Sequence, residues 1–128
     1  MGDLGGAWPT ELRVAADRRT LAVSFDDGVR FAISAELLRV ESPSAEVQGH
    51  GPGEKRTPAG KAGVRINTID PVGNYAVRIG FDDGHATGLY GWDYLRRLGE
   101  RAEELTDAYL DRLRAAGASR DAPVAGRR

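Results

Sequence analysis

The chain contains no cysteine. That absence excludes disulfides, thiolate metal sites, cysteine-ligated iron–sulfur clusters and thiol nucleophiles. It also makes a reducing compartment a natural home. Histidine is nearly as scarce, with His50 and His85 the only two. Neither sign of charge is in excess: 18 Lys and Arg stand against 19 Asp and Glu. Phosphate-driven nucleic-acid binding needs a clear cationic surplus, so no nucleic-acid partner is expected. No apolar run approaches the roughly 20 residues of a membrane span, and the N-terminus has no apolar core of a secretion signal. The expectation is a cytoplasmic domain with no membrane partner. What the chain does have suffices for one core. Of its 128 residues 41% are hydrophobic, a size at which folding buries roughly two thirds of the unfolded surface without a metal or disulfide staple.

Punctuation by glycine and proline divides the chain. Residues 1–7 are Gly-rich and read as a flexible N-terminus. Glu11–Val14, just after Pro9, is strand-like. Leu21, Val23 and Phe25 alternate with polar residues, Asp26-Asp27-Gly28 makes a turn, and Val29, Phe31 and Ile33 alternate again. This is β-hairpin grammar, with Gly28 at positive φ. Ser34 is placed to cap a short helix through Leu38. Residues 48–63 hold several glycines and prolines and almost no aliphatic side chains, so they read as a mobile loop. Val64–Ile69 is a strand, Pro71–Asn74 a turn, and Tyr75–Phe81 a strand. Asp82-Asp83-Gly84 is a second hairpin turn and His85–Tyr90 the return strand. Trp92–Ala116 carries an apolar stripe of Leu95, Leu98, Ala102, Leu105, Tyr109 and Leu113 at helical spacing. Gly99 inside it marks the end of a core helix or a kink. The pattern therefore divides into a domain over residues 8–99, a helical extension over 100–116 and a disordered tail over 117–128. The predicted class is α+β: an antiparallel sheet from two Asp-Asp-Gly hairpins, packed against a long C-terminal helix and a short one. Phe25-Asp26-Asp27-Gly28 recurs as Phe81-Asp82-Asp83-Gly84, each copy followed by a Leu-Arg pair (38–39 and 95–96). Either the chain repeats a strand–turn–strand–helix unit or two hairpins share a common turn.

Few residues here carry chemistry. Asp82, Asp83 and His85 are close in sequence, and carboxylate with imidazole is a metal-binding chemistry. The plainer alternative is a solvated turn followed by a strand. No Gly-x-Ser-x-Gly elbow is present, and the glycines around Lys55 and Lys61 do not form a phosphate-binding loop. The basic residues Lys55, Arg56, Lys61 and Arg65 suit a weakly held anionic partner. Tyr75, Tyr90, Trp92 and Tyr94 cluster around the second hairpin and are candidate contact aromatics, although Trp92 reads first as a core plug that fixes the helix on the sheet.

The run Pro71-Val72-Gly73-Asn74-Tyr75-Ala76-Val77, followed by Phe81-Asp82-Asp83-Gly84-His85, Thr87-Gly88, Tyr90 and Trp92-Asp93-Tyr94-Leu95, resembles the DUF971 family. This is also called the gamma-butyrobetaine hydroxylase-like N-terminal domain. The resemblance spans roughly Trp8–Gly99. It implies a small α+β domain and, in the eukaryotic hydroxylase, a structural zinc held by three cysteines and a histidine. Those positions correspond here to Ser42, Ser44, Val47 and His85. Serine is a poor zinc ligand and valine is none, so the site is expected to be degenerate, with no metal and no cofactor. The oxygenase domain that carries hydroxylation is absent from the resemblance, and no enzymatic activity is expected. Relatives joined to Mrp-type P-loop proteins imply a link to iron–sulfur or metal-cofactor assembly.

The resulting expectation is a non-catalytic accessory module that binds an unidentified protein partner. Its contact surface would comprise Val72, Gly73, Asn74, Tyr75, His85, Tyr90 and Trp92. A metal-binding protein using His85 with Asp82 or Asp83 is the first alternative. A structural module self-associating through the charged C-terminal helix is the second. Oligomeric state is not legible in the sequence.

Overall fold

In the computed structural model, which describes residues 8–49, 53 and 55–121, both Phe-Asp-Asp-Gly runs close their turns with the same bonds. Phe25 N–H donates to Val29 O at 2.9 Å, Gly28 N–H to Phe25 O at 3.0 Å, and Val29 N–H to the Asp27 carboxylate at 3.1 Å. In the second copy Phe81 N–H donates to His85 O at 2.9 Å, Gly84 N–H to Phe81 O at 3.1 Å, and His85 N–H to Asp83 at 3.0 Å. Gly28 and Gly84 sit at φ 87° and 91°, where side chains are strained. The flanking clamp repeats as well: Asp26 accepts from Trp8 N–H at 3.2 Å and Asp82 from Arg65 N–H at 3.0 Å.

The order of elements repeats with the turns. Strands β1 (Pro9–Val14), β2 (Thr20–Phe25) and β3 (Arg30–Ser34) form an antiparallel meander that runs into helix α1 (Ala35–Val40). After the short α2 (Ala45–Gln48), strands β4 (Ile66–Val72), β5 (Ala76–Phe81) and β6 (Gly88–Gly91) form a second meander that runs into α3 (Trp92–Glu100). Helix α4 (Ala102–Ala115) follows. The class is α+β, with the two hairpins in two three-stranded sheets.

The halves exchange their helix contacts. Arg39 of α1 pairs with Asp83 in the second turn at 2.7 Å, and Arg96 of α3 pairs with Asp27 in the first turn at 2.9 Å. Each Leu-Arg pair thus buries its leucine and sends its arginine across to the other half. Alternation turns Leu21, Val23 and Phe25 of β2 and Val77, Ile79 and Phe81 of β5 inward, where they meet Leu38, Leu95, Leu98, Tyr109 and Leu113 in one core. Each such side chain stabilises by about 1.5–3 kcal/mol when fully buried. The Ser34 hydroxyl accepts Leu37 N–H at 3.0 Å and caps α1 as expected.

Several boundaries differ from the sequence reading, each for a physical reason. Strand β4 runs through Pro71 to Val72, because it is an edge strand, where a missing N–H is tolerated. Strand β6 starts at Gly88 and not at His85, because His85 is drawn inward to Ser42. The long helix breaks at Arg101. Segment 55–62, read as part of a mobile loop, is tied down by polar bonds. Arg56 N–H donates to Val47 O at 2.7 Å, Tyr109 O–H to Pro58 O at 2.6 Å, and Lys55 pairs with Glu41 at 2.7 Å. Nor do residues 118–121 form a free tail: Gly60 N–H donates to Ser119 O at 2.9 Å, and Ala62 N–H to Arg120 O at 2.8 Å. The expectations for residues 1–7, 50–52, 54 and 122–128 lie outside the described residues. Among the described residues, no helix is long and apolar enough to cross a membrane.

Candidate functional site

Helix α1 ends at Val40, and the chain turns through Ser42 and Pro43 to start α2. This turn faces the loop after Gly84. The buried Ser42 hydroxyl lies 2.9 Å from His85 Nε2, and the Ser44 hydroxyl lies 3.3 Å from the same nitrogen. On the other side of the ring, Nδ1 is 2.8 Å from Glu46 Oε1. Burial and then Arg39 lower the His85 pKa from its ordinary value, against the opposing pull of Glu46 and Asp83. The imidazole is therefore neutral at pH 7. The network assigns its one proton to Nδ1, donated to Glu46, and leaves Nε2 to accept from Ser42.

A serine, a neutral histidine and a carboxylate in line have the roles of a hydrolytic triad. Access decides against it. Ser42 is 0% exposed, and a Cβ on Gly88 would stand 2.5 Å from its Oγ. No substrate carbonyl can reach that oxygen without displacing β6.

The aspartates proposed as metal ligands are otherwise engaged. Asp82 accepts Arg65 N–H. Asp83 accepts His85 N–H through one oxygen, and the other lies 2.7 Å from Arg39 Nε and 2.6 Å from Lys61 Nζ. Burial would raise the Asp83 pKa, but Lys61, the His85 amide and Arg39 outweigh it and hold the carboxyl at about 2. Among the described residues no three His, Asp or Glu side chains gather as a metal set. The fold does bring Ser42, Ser44 and His85 to one point, and Val47 lines the same cleft as His85. This donor set does not fit zinc, because two hydroxyls and an alkyl group replace thiolates. A Ser42→Cys, Ser44→Cys, Val47→Cys variant is expected to retain one zinc per chain after dialysis, measured by mass spectrometry on untagged protein. Stoichiometric zinc in the unaltered chain, lost in His85→Ala, would overturn this account.

The proposed contact surface separates into two groups. Tyr75 is 57% exposed, and Gly73 and Asn74 are exposed beside it, with Val72 half-buried. Trp92 is half-buried, and its indole N–H donates to Asn74 O at 2.9 Å. Tyr90 and His85 are 0% and 7% exposed and are corrected to interior positions. Tyr90 faces inward because it is the cross-strand partner of the core residue Val77. Sequence reasoning missed Glu46 and Arg39. The repeated Leu-Arg pair was the available signal for Arg39.

The pattern described as gamma-butyrobetaine hydroxylase-like, N-terminal, matches residues 12–96. The chain belongs to this family. No protein of curated function matches it. Two NMR solution structures are similar over nearly the whole length. One has 48% identity and a TM-score of 0.80, covering 97% of this chain and 92% of its own. The other has 39% identity and the same TM-score, covering 97% and 98%. A crystal structure of a DUF971 family protein of unknown function from Acidithiobacillus ferrooxidans ATCC 23270 has 37% identity and a TM-score of 0.55, covering 71% of this chain and 91% of its own. The gamma-butyrobetaine hydroxylase-like N-terminal match ends within α3, so α4 lies outside it.

Proposed function

We propose that this gamma-butyrobetaine hydroxylase-like N-terminal domain is a non-catalytic module that binds a protein partner through the outer face of its second sheet. The supporting observation is an aromatic side chain that is exposed yet held. Gly73 lies at φ 55°, and a Cβ there would stand 3.1 Å from the Tyr75 ring. The Trp92 indole fixes the same turn through Asn74. Leu89, 40% exposed, shares the outer face of this sheet with Val72. A pre-ordered aromatic loses little entropy on binding, and tyrosine is enriched among contacts that dominate affinity. The full burial of the Ser42 hydroxyl beside His85 supports a non-catalytic role. The family resemblance points to a partner in metal-cofactor assembly.

Affinity capture with quantitative mass spectrometry tests this reading. Tyr75→Ser and Leu89→Ser are expected to lose at least one protein captured by the unaltered chain. Their stability should stay within about 0.5 kcal/mol, as for other surface changes. An unchanged set of captured proteins would remove the surface from consideration.

A further inference from the structure

The two cross-half clamps are not equally satisfied. Arg96 has two carboxylates: its Nη1 and Nη2 lie 3.3 and 2.9 Å from the oxygens of Asp27, and its Nε lies 2.8 Å from Glu100. Arg39, its counterpart in the repeat, has one among the described residues. Its Nε donates to Asp83, and its buried Nη1 has no hydrogen-bond partner among the described residues. The residue four places after Arg96 is Glu100, whereas the residue four places after Arg39 is Pro43. A buried guanidinium N–H without an acceptor forgoes the hydrogen bond that would offset its loss of water, so each such group requires an explanation.

The explanation lies beside it. Arg39 borders an open cleft of about 570 Å³, and Arg56, Lys61 and His85 border it too. Arg56 is exposed and makes no ion pair with any described residue. Asp83 is a single carboxylate shared by two cations, Arg39 and Lys61. Among the described residues, Glu46 on the cleft wall accepts from the neutral His85 and keeps its charge, so the three cations Arg39, Arg56 and Lys61 stand against the two carboxylates Asp83 and Glu46. The cleft therefore carries a net positive field. Val47, Pro58 and Ala59 give it an apolar wall. Its frame is fixed in advance by Arg56 N–H on Val47 O and Tyr109 O–H on Pro58 O.

We infer that this cleft binds a small organic anion, a carboxylate or phosphate on a short apolar body. The anion supplies Arg39 with the second negative charge that Glu100 supplies to Arg96. Arg39, Arg56 and Lys61 hold the charged head, and Val47 and Pro58 take the apolar part. The site uses neither Tyr75 nor Leu89, so it is independent of the protein-binding face.

Nitrogen–proton NMR titration of the full chain with inorganic phosphate, butyl phosphate and butyrate at low salt tests the inference. Saturable shifts are expected at the amides of Val47, Arg56, Lys61 and His85 with at least one probe. Butyrate alone would assign a carboxylate head, and the two phosphates alone a tetrahedral one. Arg56→Gln and Lys61→Gln are each expected to weaken binding about tenfold, the loss of one charge-assisted contact. Both changes lie away from the core, so folding is retained where Arg39→Gln risks it. Tyr75→Ser is expected to leave the affinity unchanged. No saturable shift with any probe, or equal affinity in the Arg56 and Lys61 variants, would overturn the proposal.

Discussion

Replacing Tyr90 with alanine is expected to cost about 3–5 kcal/mol, the range for emptying a large aromatic site in a packed core. A domain of this size has about 5–15 kcal/mol in total, so the variant should be marginally folded. The ring is 0% exposed, with the Tyr94 ring centroid 6.2 Å away. Its hydroxyl has a second role. The last four carbonyls of a helix have no partner within the helix. The Tyr90 hydroxyl donates to Leu38 O near the end of α1, and the Tyr94 hydroxyl donates to Glu41 O one turn further on. Two tyrosines from the second half thus cap the helix of the first. Burial raises the Tyr90 pKa above its ordinary value, so the hydroxyl stays a donor across the usable pH range. Tyr90→Phe keeps the ring and leaves the Leu38 carbonyl without its donor, at an expected cost of about 1–3 kcal/mol. Urea denaturation followed by circular dichroism measures both changes as midpoint shifts at constant slope. Tyr90→Phe as stable as the unaltered chain would mean that the carbonyl finds another donor and the cap is dispensable.

The contrast between Tyr75 and Tyr90 shows what the sequence could and could not convey. Alternation and Asp-Gly turns predict six strands because a two-residue period and a positive-φ glycine are local properties. The repeated Phe-Asp-Asp-Gly and Leu-Arg signatures were visible as well. Their exchange across the halves was not, because no local rule says which turn receives which arginine. Tyr90 looked like a surface aromatic because neighbouring tyrosines and tryptophan are alike in composition. Its inward direction follows from pairing with Val77, a register set by the fold. Segment 55–62 looked loose because it lacks aliphatic side chains. It is held by backbone donors and by Tyr109, a residue far along the chain. At the site, a resemblance singled out Ser42, Ser44 and His85. Glu46 and Arg39 completed the cluster only when α1, α2 and the second turn met.

Gly99→Ala should destabilise the domain, although helix propensity alone argues the reverse. Gly99 lies within α3, where alanine is favoured over glycine by about 1 kcal/mol. Its φ lies outside the left-handed region, so backbone freedom does not explain the glycine. The Phe31 ring does. A Cβ at position 99 would stand 2.4 Å from Phe31 Cγ and 2.6 and 2.8 Å from the adjacent ring carbons. Cγ is the ring atom nearest the backbone of β3, so the ring cannot swing clear as the end of a long side chain would. It also packs edge-on to Phe25 at 6.2 Å and under the Arg96 guanidinium at 5.8 Å. Separating α3 from β3 would disturb the contact on which the Arg96–Asp27 clamp depends. Overpacking of this kind costs about 1–3 kcal/mol, occasionally more. With three ring atoms in the way, the upper end applies, and a net loss of about 2 kcal/mol remains after the gain in propensity. Phe31→Ala removes all three carbons that stand in the way and is expected to rescue Gly99→Ala, so that the double variant is more stable than the sum of the single changes by at least about 1 kcal/mol. Urea midpoints of the four proteins measure that coupling. A Gly99→Ala variant more stable than the parent would show that the helix is free to move off the sheet, and the close approach of α3 and β3 would then be incidental to the fold.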